Sequence, residues 1–525
     1  MMNQQFHDST ASGISRRLRS INRYLEMGDK QAAMNALIVM VQSHPELAAP
    51  KLHLADLYLD IEDNIKARSL VSQAIKNVMD SPSTGLSLLS TLGALSESQL
   101  MIDICRELSP EKWGSAYMLT MVSQQLSLAG INALALRFAQ AAVAADPNYP
   151  PGLYMLATLE LMHGDLAAAT QHTEQCLKWI PDDPGSHWLL SRLRLPNAGE
   201  RIDKLRDFLA CAKTEDAKIW FAFALHNELH ETKDYEASWR ALMDGCAVKR
   251  AQLGYSRDHY DSLFSHLQNW SATKFPDVQG YSDASLRPVF VIGLHRSGTT
   301  LAEQILAGNS QVSSGGETYD IRARLRQLTG VHFSGEIDSR VITRRAELDY
   351  LKLGRSYLNG MRWRANGRPI VTDKLPSNYF NVGFIARALP QAKFILLRRD
   401  PMDVGFSSLR TLFSHACPYS YDQLDFAHYY KQFLRLTNSW KDIFSDRILE
   451  VDYQQLVEEP ELLATRMANF CGINFEPGMI NVANRDAVAT ASSVMIRDGI
   501  RKDRARVWQH YQQYLEPMRD ALENG

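Results

Sequence analysis

The sequence predicts a two-part fold: an all-α helical solenoid, followed by an α/β domain built on a parallel sheet. Glycine and proline recur at a fixed interval through the first half, and a short apolar run with a glycine-rich loop begins at Arg287. A chain of 525 residues is also too long for a single hydrophobic core. We therefore expect a helical domain at residues 1–255, a linker at 256–286 and the α/β domain at 287–525.

The composition excludes several classes of function. Apolar residues make up 45% of the chain and the formal net charge is -2, so we expect a globular protein with no nucleic-acid partner. The six cysteines form no CxxC pair, which argues against a zinc ribbon or a disulfide scaffold. The sequence shows neither a signal peptide nor an apolar run of membrane-spanning length. A cytoplasmic protein without a membrane span is the resulting expectation.

A repeat of helix-turn-helix length runs through the first half. In three places a glycine precedes a proline by 17 residues: Gly28 and Pro45, Gly130 and Pro147, Gly164 and Pro181. The last two prolines are 34 residues apart, and an alanine follows each glycine by five positions. Glycine permits a tight turn between antiparallel helices, alanine lets those helices approach closely, and proline ends the unit.

This spacing resembles the tetratricopeptide repeat, most clearly at residues 150–181. Residues 52–82 are expected to form a degenerate unit with Asn64 in the usual place of glycine, and residues 221–255 another. Residues 81–108 fit no unit, and a non-repeat helical bundle remains the alternative. A solenoid of this kind presents a concave face that binds a peptide or protein partner.

The second half opens with an anion-binding pattern. Residues 288–292 form an apolar run of buried-strand type, residues 293–300 a loop with two glycines, and residues 301–306 a helical segment. In a strand-loop-helix unit, the loop amides and the helix N-terminus point at a bound phosphate. The pattern therefore predicts a P-loop-like site.

Two features separate this loop from that of a nucleotide triphosphatase. Thr299 occupies the position of the Walker lysine, and Arg296 lies inside the loop. The second predicted strand, residues 393–397, ends in two arginines before Asp400, where a magnesium site would need an acid. Asp400 keeps a divalent-ion site open, and with it a divergent nucleotide kinase or triphosphatase. The pattern favours a metal-free site for two phosphate groups.

Residues 287–514 resemble the sulfotransferases that use 3'-phosphoadenosine 5'-phosphosulfate, above all the bacterial tetratricopeptide-repeat sulfotransferases and the tyrosylprotein sulfotransferases. Four motifs occur in the family's order. The resemblance implies that the first motif holds the 5'-phosphosulfate through Arg296, Ser297, Gly298, Thr299 and Thr300. It also implies that Arg399 and Ser407, eight residues apart, hold the 3'-phosphate.

Two further motifs supply candidate catalytic residues besides Arg296. Glu317 lies 21 residues after Arg296, the spacing of the general base in the tyrosylprotein branch. Lys374, in the segment DKLPSN, resembles the lysine beside the bridging oxygen of the donor. A turn or cap carboxylate is the alternative for Glu317, and a solvated charge for Lys374. Glu303 is expected to be structural.

The remaining carry-overs lie toward the C-terminus. Tyr453 follows a predicted strand and resembles a residue that lines the adenine pocket, with core packing as the alternative. Ser492 resembles part of the loop that closes over the nucleotide. Val507 stands where relatives often carry a basic residue, and Arg504 or Arg506 is a candidate substitute.

The acceptor side departs from the tyrosylprotein branch. Tyr319 stands where that branch has an arginine, and Arg322, Arg324 and Arg326 are expected to form a solvated helix face. The resemblance therefore implies transfer of a sulfuryl group to a hydroxyl of a protein tyrosine, a carbohydrate or a small molecule. The repeats would recruit the acceptor or a partner. The alternatives are an inactive repeat scaffold and the divergent kinase or triphosphatase.

Overall fold

The computed structural model describes residues 11–76, 81–271, 279–413, 416–482, 499–500 and 506–524. Its first part is all helical, as predicted. The helices up to residue 271 are α1 (Ala11–Glu26), α2 (Lys30–Ser43), α3 (Ala48–Asp60), α4 (Asn64–Ala74), α5 (Pro82–Ala94), α6 (Ser98–Glu107), α7 (Ala116–Leu128), α8 (Asn132–Ala145), α9 (Pro150–His163), α10 (Leu166–Trp179), α11 (Pro184–Arg192), α12 (Ala198–Cys211), α13 (Glu215–Glu231), α14 (Tyr235–Leu253) and α15 (Arg257–Ser271). In the described part of the chain, no helix combines the length and apolarity needed to cross a bilayer.

The helices form pairs joined by one kind of turn. The second helix of a pair is preceded by a residue with a left-handed backbone, such as Gly28 with φ +75° and Gly164 with φ +87°. The following aspartate caps the new helix. Asp29 accepts from the amide of Ala32, and Asp165 accepts from the amide of Ala168. The left-handed turn explains why glycine recurs in the sequence.

Two sequence expectations about the repeats are wrong. The left-handed residue of the α3–α4 turn is Glu62, with φ +64°, and Asn64 is already the first residue of α4. Residues 81–108, which fit no unit by pattern, contain the pair α5 and α6, whose turn residue is Ser96 with φ +58°. In both turns a residue other than glycine takes the left-handed conformation, which removes the glycine signal.

The second part is a five-stranded parallel sheet with helices between the strands. Its strands are β1 (Arg287–Gly293), β2 (Val312–Ser313), β3 (Ile370–Asp373), β4 (Lys393–Arg398) and β5 (Ile448–Asp452), in the spatial order β2-β3-β1-β4-β5. Its helices are α16 (Thr299–Ala307), α17 (Asp320–Thr329), α18 (Ser339–Thr343), α19 (Tyr350–Ala365), α20 (Val382–Ala388), α21 (Pro401–Leu409), α22 (Gln423–Ile443), α23 (Tyr453–Glu458), α24 (Pro460–Phe470) and α25 (Glu516–Glu523). The predicted α/β fold with a parallel sheet is confirmed.

Both faces of the sheet are buried. Phe290 and Ile292 of β1 belong to one apolar cluster, whereas Val289 and Val291 belong to the cluster on the opposite face. Burial on both faces explains why the strands read as continuous apolar runs. The central strand β1 pairs with β3 on one side and β4 on the other, so the carboxyl ends of these three strands meet at one edge.

The helical array and the α/β part share a core. Residues of α13 and α14 belong to the same apolar cluster as the sheet, and so does α15. Asp425 of α22 is 1% exposed and accepts from Arg250 at 2.7 Å and from Arg257 at 2.6 Å. This carboxylate links the last helices of the array to the α/β part.

The solvated face predicted for α17 is wrong. Arg324 and Arg326 are buried, and they face the turn between α5 and α6. Arg324 donates to the carboxylate of Glu97 at 3.0 Å, and Arg326 donates to the carbonyl of Ala94 at 3.1 Å. The arginine pattern of α17 therefore serves packing between the two parts of the chain.

Candidate active site

The predicted anion loop joins β1 to α16. Arg296 has a left-handed backbone with φ +71°, and Gly298 has φ +100°. A Cβ atom on Gly298 would lie 2.2 Å from the ring of Tyr453, so no larger residue fits there. Tyr453 is the first residue of α23 after β5, as its strand-then-tyrosine pattern predicts. The ring therefore closes one side of the loop.

The first and second motifs meet through Arg296. Its Nε donates to the hydroxyl of Ser407 at 3.0 Å. Arg399 donates from Nη1 to the carbonyl of Arg296 at 3.2 Å, and its guanidinium lies 4.3 Å from the ring centre of Tyr453. Residues from the ends of β1, β4 and β5 are thus brought together at one edge of the sheet.

Positive charges are concentrated at this edge. Burial, together with the nearby charges of Arg399, Arg410 and Arg192, lowers the pKa of Arg296 to about 10. The Nε of Arg399 is buried without a hydrogen-bond partner, and its one ion pair among the described residues, with Asp403, is 3.7 Å long. Like charges held together with an unsatisfied donor are suited to binding an anion.

The hydroxyl residues of the loop are buried. Ser297 donates its hydroxyl to the carbonyl of Leu294 at 2.7 Å, which holds the loop in shape. Thr299 and Thr300 open α16, so the first amides of that helix face the concave side of the loop. Together with Gly298, these residues form the strand-loop-helix cradle that the pattern predicts.

The two charged neighbours of Arg399 have structural partners. Asp400 caps α21 by accepting from the amide of Asp403 at 3.0 Å. Arg398 donates to Glu450 at 3.3 Å and to Asn438 at 2.8 Å. The acid that kept a divalent-ion site open therefore has a local role at a helix N-terminus.

Glu317 and Lys374 form an ion pair. The Nζ of Lys374 donates to Oε1 of Glu317 at 2.6 Å. The lysine side chain is 0% exposed and the glutamate side chain is 32% exposed. Lys374 is therefore not a solvated charge. Glu317 does not cap α17 either, because Tyr319 is the cap residue and no side chain accepts there.

The loop that carries Glu317 is held from two sides. The carboxylate of Glu303 accepts from the amide of Gly316 at 3.0 Å and from the hydroxyl of Thr372 at 2.7 Å. On the other side, the amide of Lys374 donates to the carbonyl of Gly316 at 2.9 Å. These contacts agree with the structural role expected for Glu303, which ties the loop to α16 and β3.

Asp373 organises the segment around Lys374. Its buried carboxylate accepts from Thr318 at 2.8 Å, from Tyr357 at 2.9 Å and from Asn378 at 3.2 Å. Burial raises the pKa of Asp373 to about 7, against the effect of these donors. The motif DKLPSN thus places one acid inside the core and turns the neighbouring lysine toward Glu317.

Sequence reasoning missed several residues at the site. His295 precedes Arg296 in the loop, and burial lowers its pKa to about 4, with Lys374 acting in the same direction. Its position in the loop, next to Arg296, could have identified it as a residue of the site. Arg410 lies three residues after Ser407, and Arg192 belongs to α11 of the array. No local motif points to Arg192, because only the folded chain brings its charge near Arg296.

The predicted C-terminal contacts are described in part. Ser492 and Arg504 lie outside the described residues. The amide of Arg506 donates to the carboxylate of Asp403 at 2.7 Å, while its side chain is exposed. Val507 packs against the large apolar cluster. The segment after residue 505 therefore docks beside Arg399 through its backbone.

Comparison with known proteins finds one matching family model and a curated relative. Residues 288–477 match the model of the Sulfotransferase family. An uncharacterized protein of Aquifex aeolicus is 28% identical over 344 residues, which are 62% of this chain and 44% of that protein. The chain therefore spans less than half the length of this curated relative.

Two solved structures are among the matches. The sulfotransferase domain from the curacin biosynthetic pathway is 19% identical, with a TM-score of 0.32, and the match covers 45% of this chain and 92% of that one. Sulfotransferase STF1 from Mycobacterium tuberculosis H37Rv is 14% identical, with a TM-score of 0.28, and covers 65% of this chain and 97% of its own. The resemblance to sulfotransferases read from the motifs is confirmed over residues 288–477, which match the model of that family.

Proposed function

We propose that the protein transfers a sulfuryl group from 3'-phosphoadenosine 5'-phosphosulfate to a hydroxyl acceptor. One observation carries the proposal. The carboxyl ends of β1, β3 and β4 bring an arginine-lined anion loop to the same edge as a carboxylate paired with a buried lysine. The first group suits a doubly phosphorylated donor, and the second suits removal of a proton from the acceptor.

Donor binding uses the positively charged side of the site. Arg399 and Ser407 hold the 3'-phosphate, while Arg296 and the amides at the start of α16 hold the 5'-phosphosulfate. Tyr453, which contacts both the loop and Arg399, lines the adenine pocket. A bound anion relieves the repulsion among the arginines and supplies the acceptor that Nε of Arg399 lacks. The described residues therefore fit this donor.

The chemical step starts at Glu317. Its carboxylate takes the proton of the acceptor hydroxyl as the acceptor oxygen forms a bond to sulfur. The bond between sulfur and the 5'-phosphate oxygen breaks, and the leaving 3'-phosphoadenosine 5'-phosphate keeps the electron pair. Arg296 and Lys374 stabilise the negative charge that develops on the transferring and leaving groups. The short contact between Lys374 and Glu317 orients the carboxylate before the acceptor binds.

The acceptor is a hydroxyl compound, with protein tyrosine, carbohydrate and small molecules as the candidate classes. Tyr319, beside Glu317, is covered by the guanidinium of Arg322 at 4.1 Å. That guanidinium also donates to the carbonyl of Ser334 at 3.0 Å.

We further propose that residues 287–525 carry out the chemistry and residues 1–255 recruit the acceptor or a partner, in a cytoplasmic protein.

The decisive experiment is a calorimetric titration with 3'-phosphoadenosine 5'-phosphate, which needs no acceptor. We expect the unaltered chain to bind, Arg399→Ala and Ser407→Ala to bind more weakly, and Arg398→Ala to bind normally, because Arg398 pairs with Glu450 and Asn438. Failure of the unaltered chain to bind, or hydrolysis of ATP with Mg²⁺, would overturn the proposal. Radiolabelled donor with phenols, tyrosine peptides and sugars then identifies the acceptor class.

A further inference from the structure

We infer that the helical array positions the general base, in addition to any recruiting role, and that Arg364 is the positioning residue. The inference rests on the function proposed for Glu317. The loop of residues 315–318 carries this glutamate. One turn of the array lies against the loop, and another contacts helix α17, which follows the loop. The array would then form part of the catalytic centre.

The first contact is made by Arg364 of α19. Its Nη1 donates to the carbonyl of Gly315 at 3.0 Å, and its Nη2 donates to the carbonyl of Ala129 at 3.3 Å. Ala129 lies in the turn between α7 and α8 of the array. One guanidinium therefore bridges the start of the loop and a turn of the array, and its planar fork fixes their separation.

Arg364 is itself held in place. Its carbonyl accepts from the hydroxyl of Ser313 at 2.7 Å, which ties α19 to β2 just before the loop. Its guanidinium lies 4.3 Å from the ring centre of Trp363, and that ring packs against the first apolar core of the array. Burial lowers the pKa of Arg364, while the nearby charges of Asp320 and Asp373 oppose that shift. Arg364 is therefore held in position by contacts with both the array and the α/β part.

The second contact is the turn glycine Gly130, which has φ +71°. A Cβ atom at this position would lie 3.7 Å from the main-chain oxygen of Glu317 and 3.8 Å from Nη2 of Arg364. The corresponding glycine of the first repeat, Gly28, has φ +75° and no atom within 4 Å of its Cβ position. The two glycines share one conformation, and only Gly130 faces the catalytic loop.

The third contact holds the other end of the loop. Helix α17 begins three residues after Glu317, and its Arg324 donates to Glu97 of the array at 3.0 Å. Glu97 also pairs with Arg68 of α4, so the carboxylate is fixed within the array. The turn between α5 and α6 thus anchors the helix that follows the loop, while the turn between α7 and α8 contacts the loop itself.

This arrangement makes the position of Glu317 depend on the array. A displacement of about 1 Å in a reacting group is enough to slow a reaction by about 100-fold. Donor binding uses other residues, so a change at the contact should alter turnover and leave donor affinity intact. That separation distinguishes a positioning role from a general loss of structure.

The array side is tested with a matched pair of variants, Gly130→Asn and Gly28→Asn. Asparagine tolerates the left-handed backbone, so both turns can form. At Gly130 the Cβ atom would lie at contact distance from Glu317 and Arg364, and the further atoms of the asparagine side chain need space beside the loop. We expect turnover to fall about 10- to 100-fold with unchanged affinity for 3'-phosphoadenosine 5'-phosphate. Gly28→Asn should retain normal turnover. Equal turnover in the two variants would overturn the inference.

The bridge is tested with Arg364→Leu against Arg362→Leu, which alters an exposed arginine of the same helix. Hydrogen exchange of the amides of residues 315–318 is the readout, because it requires neither donor nor acceptor. We expect these amides to exchange faster in Arg364→Leu and in Gly130→Asn, and at the rate of the unaltered chain in Arg362→Leu. Unchanged exchange in both would overturn the inference, whether or not sulfuryl transfer is observed. Absence of transfer by the unaltered chain would contradict only the proposed function.

Discussion

The two sides of the candidate site are held in opposite ways. On the donor side, Arg399 and Arg410 both repel Arg296, and a buried donor of Arg399 has no partner among the described residues. On the base side, Lys374 and Glu317 satisfy each other at 2.6 Å, and the loop beneath them is fully hydrogen-bonded at Gly316. One side stores electrostatic repulsion that an anion relieves. The other is complete before any ligand arrives.

This difference suggests that the arginines determine the affinity for the donor, whereas the ion pair determines how precisely the carboxylate is positioned. Repulsion between Arg296 and its arginine neighbours should lower the stability of the unliganded protein, and binding of the proposed donor should relieve it. The ion pair and its supporting contacts hold a carboxylate in a fixed position, which proton transfer requires. Variants of the two sides should therefore separate binding, turnover and stability.

The largest effect is expected for Glu317→Gln. The amide retains a hydrogen bond to Lys374 and cannot take the acceptor proton, so we expect turnover to fall about 10²- to 10⁴-fold. Affinity for 3'-phosphoadenosine 5'-phosphate should not change, because the donor side is untouched. Steady-state rates and calorimetry on the same preparation measure both quantities. Full turnover in this variant would exclude Glu317 as the base.

The next effect concerns Arg399→Ala on the donor side. Loss of a charge-assisted contact worth about 1.5–3 kcal/mol should weaken binding of 3'-phosphoadenosine 5'-phosphate about 10- to 150-fold. The melting temperature of the unliganded protein should stay the same or rise, since repulsion with Arg296 is removed. A large fall in melting temperature would mean that the arginine cluster stabilises the fold, contrary to the comparison.

A double-variant cycle tests the base side. Glu317→Gln leaves the buried ammonium of Lys374 without a charged partner and should reduce the free energy of unfolding by about 1–3 kcal/mol. Adding Lys374→Met removes that unpaired charge, so the double variant should be more stable than the sum of the two single variants predicts. Urea unfolding measures the coupling, expected at about 0.5–3 kcal/mol. Additive losses would show that the pair contributes no stability.

The last effect is a pH dependence from His295. Its pKa is about 4 in the folded protein, because burial disfavours the charged ring, against an ordinary value near 6.5. Between pH 6.5 and 4 the unfolded chain binds a proton that the folded chain refuses, so the free energy of unfolding falls as the pH falls. His295→Gln should show a shallower fall over this window. Identical profiles would mean that the pKa of His295 is not lowered in the folded protein.

Local patterns predicted much of the fold. The strands at residues 288–292 and 393–397 appear where apolar runs indicate them, since each run is buried on both faces. β2 has only two residues, too few to leave a pattern. The division at residues 255 and 286 stays a prediction, as do the roles of the site residues.

Contacts between distant segments could not be predicted from the sequence. The helical pattern of α17 correctly indicates a helix, yet it cannot say that Glu97 and Ala94 lie opposite its arginines. Arg364 reads as one of several basic residues on α19, and only the fold places it between Gly315 and Ala129. Spacing within a motif records neighbours along the chain, whereas the contacts with Glu97, Ala94 and Ala129 join segments 227 to 235 residues apart.

The buried face of α15 has a consequence for synthesis on the ribosome. Phe264 packs against Phe380 and Tyr429, and Trp270 against Trp440, about 170 residues later in the chain. At about 5–20 residues per second, roughly 10–30 seconds pass between translation of Trp270 and translation of its partner. During that interval the finished array carries an uncovered apolar helix at its growing end. The nascent chain is therefore most exposed to aggregation, and most in need of a chaperone, just after its first half has folded.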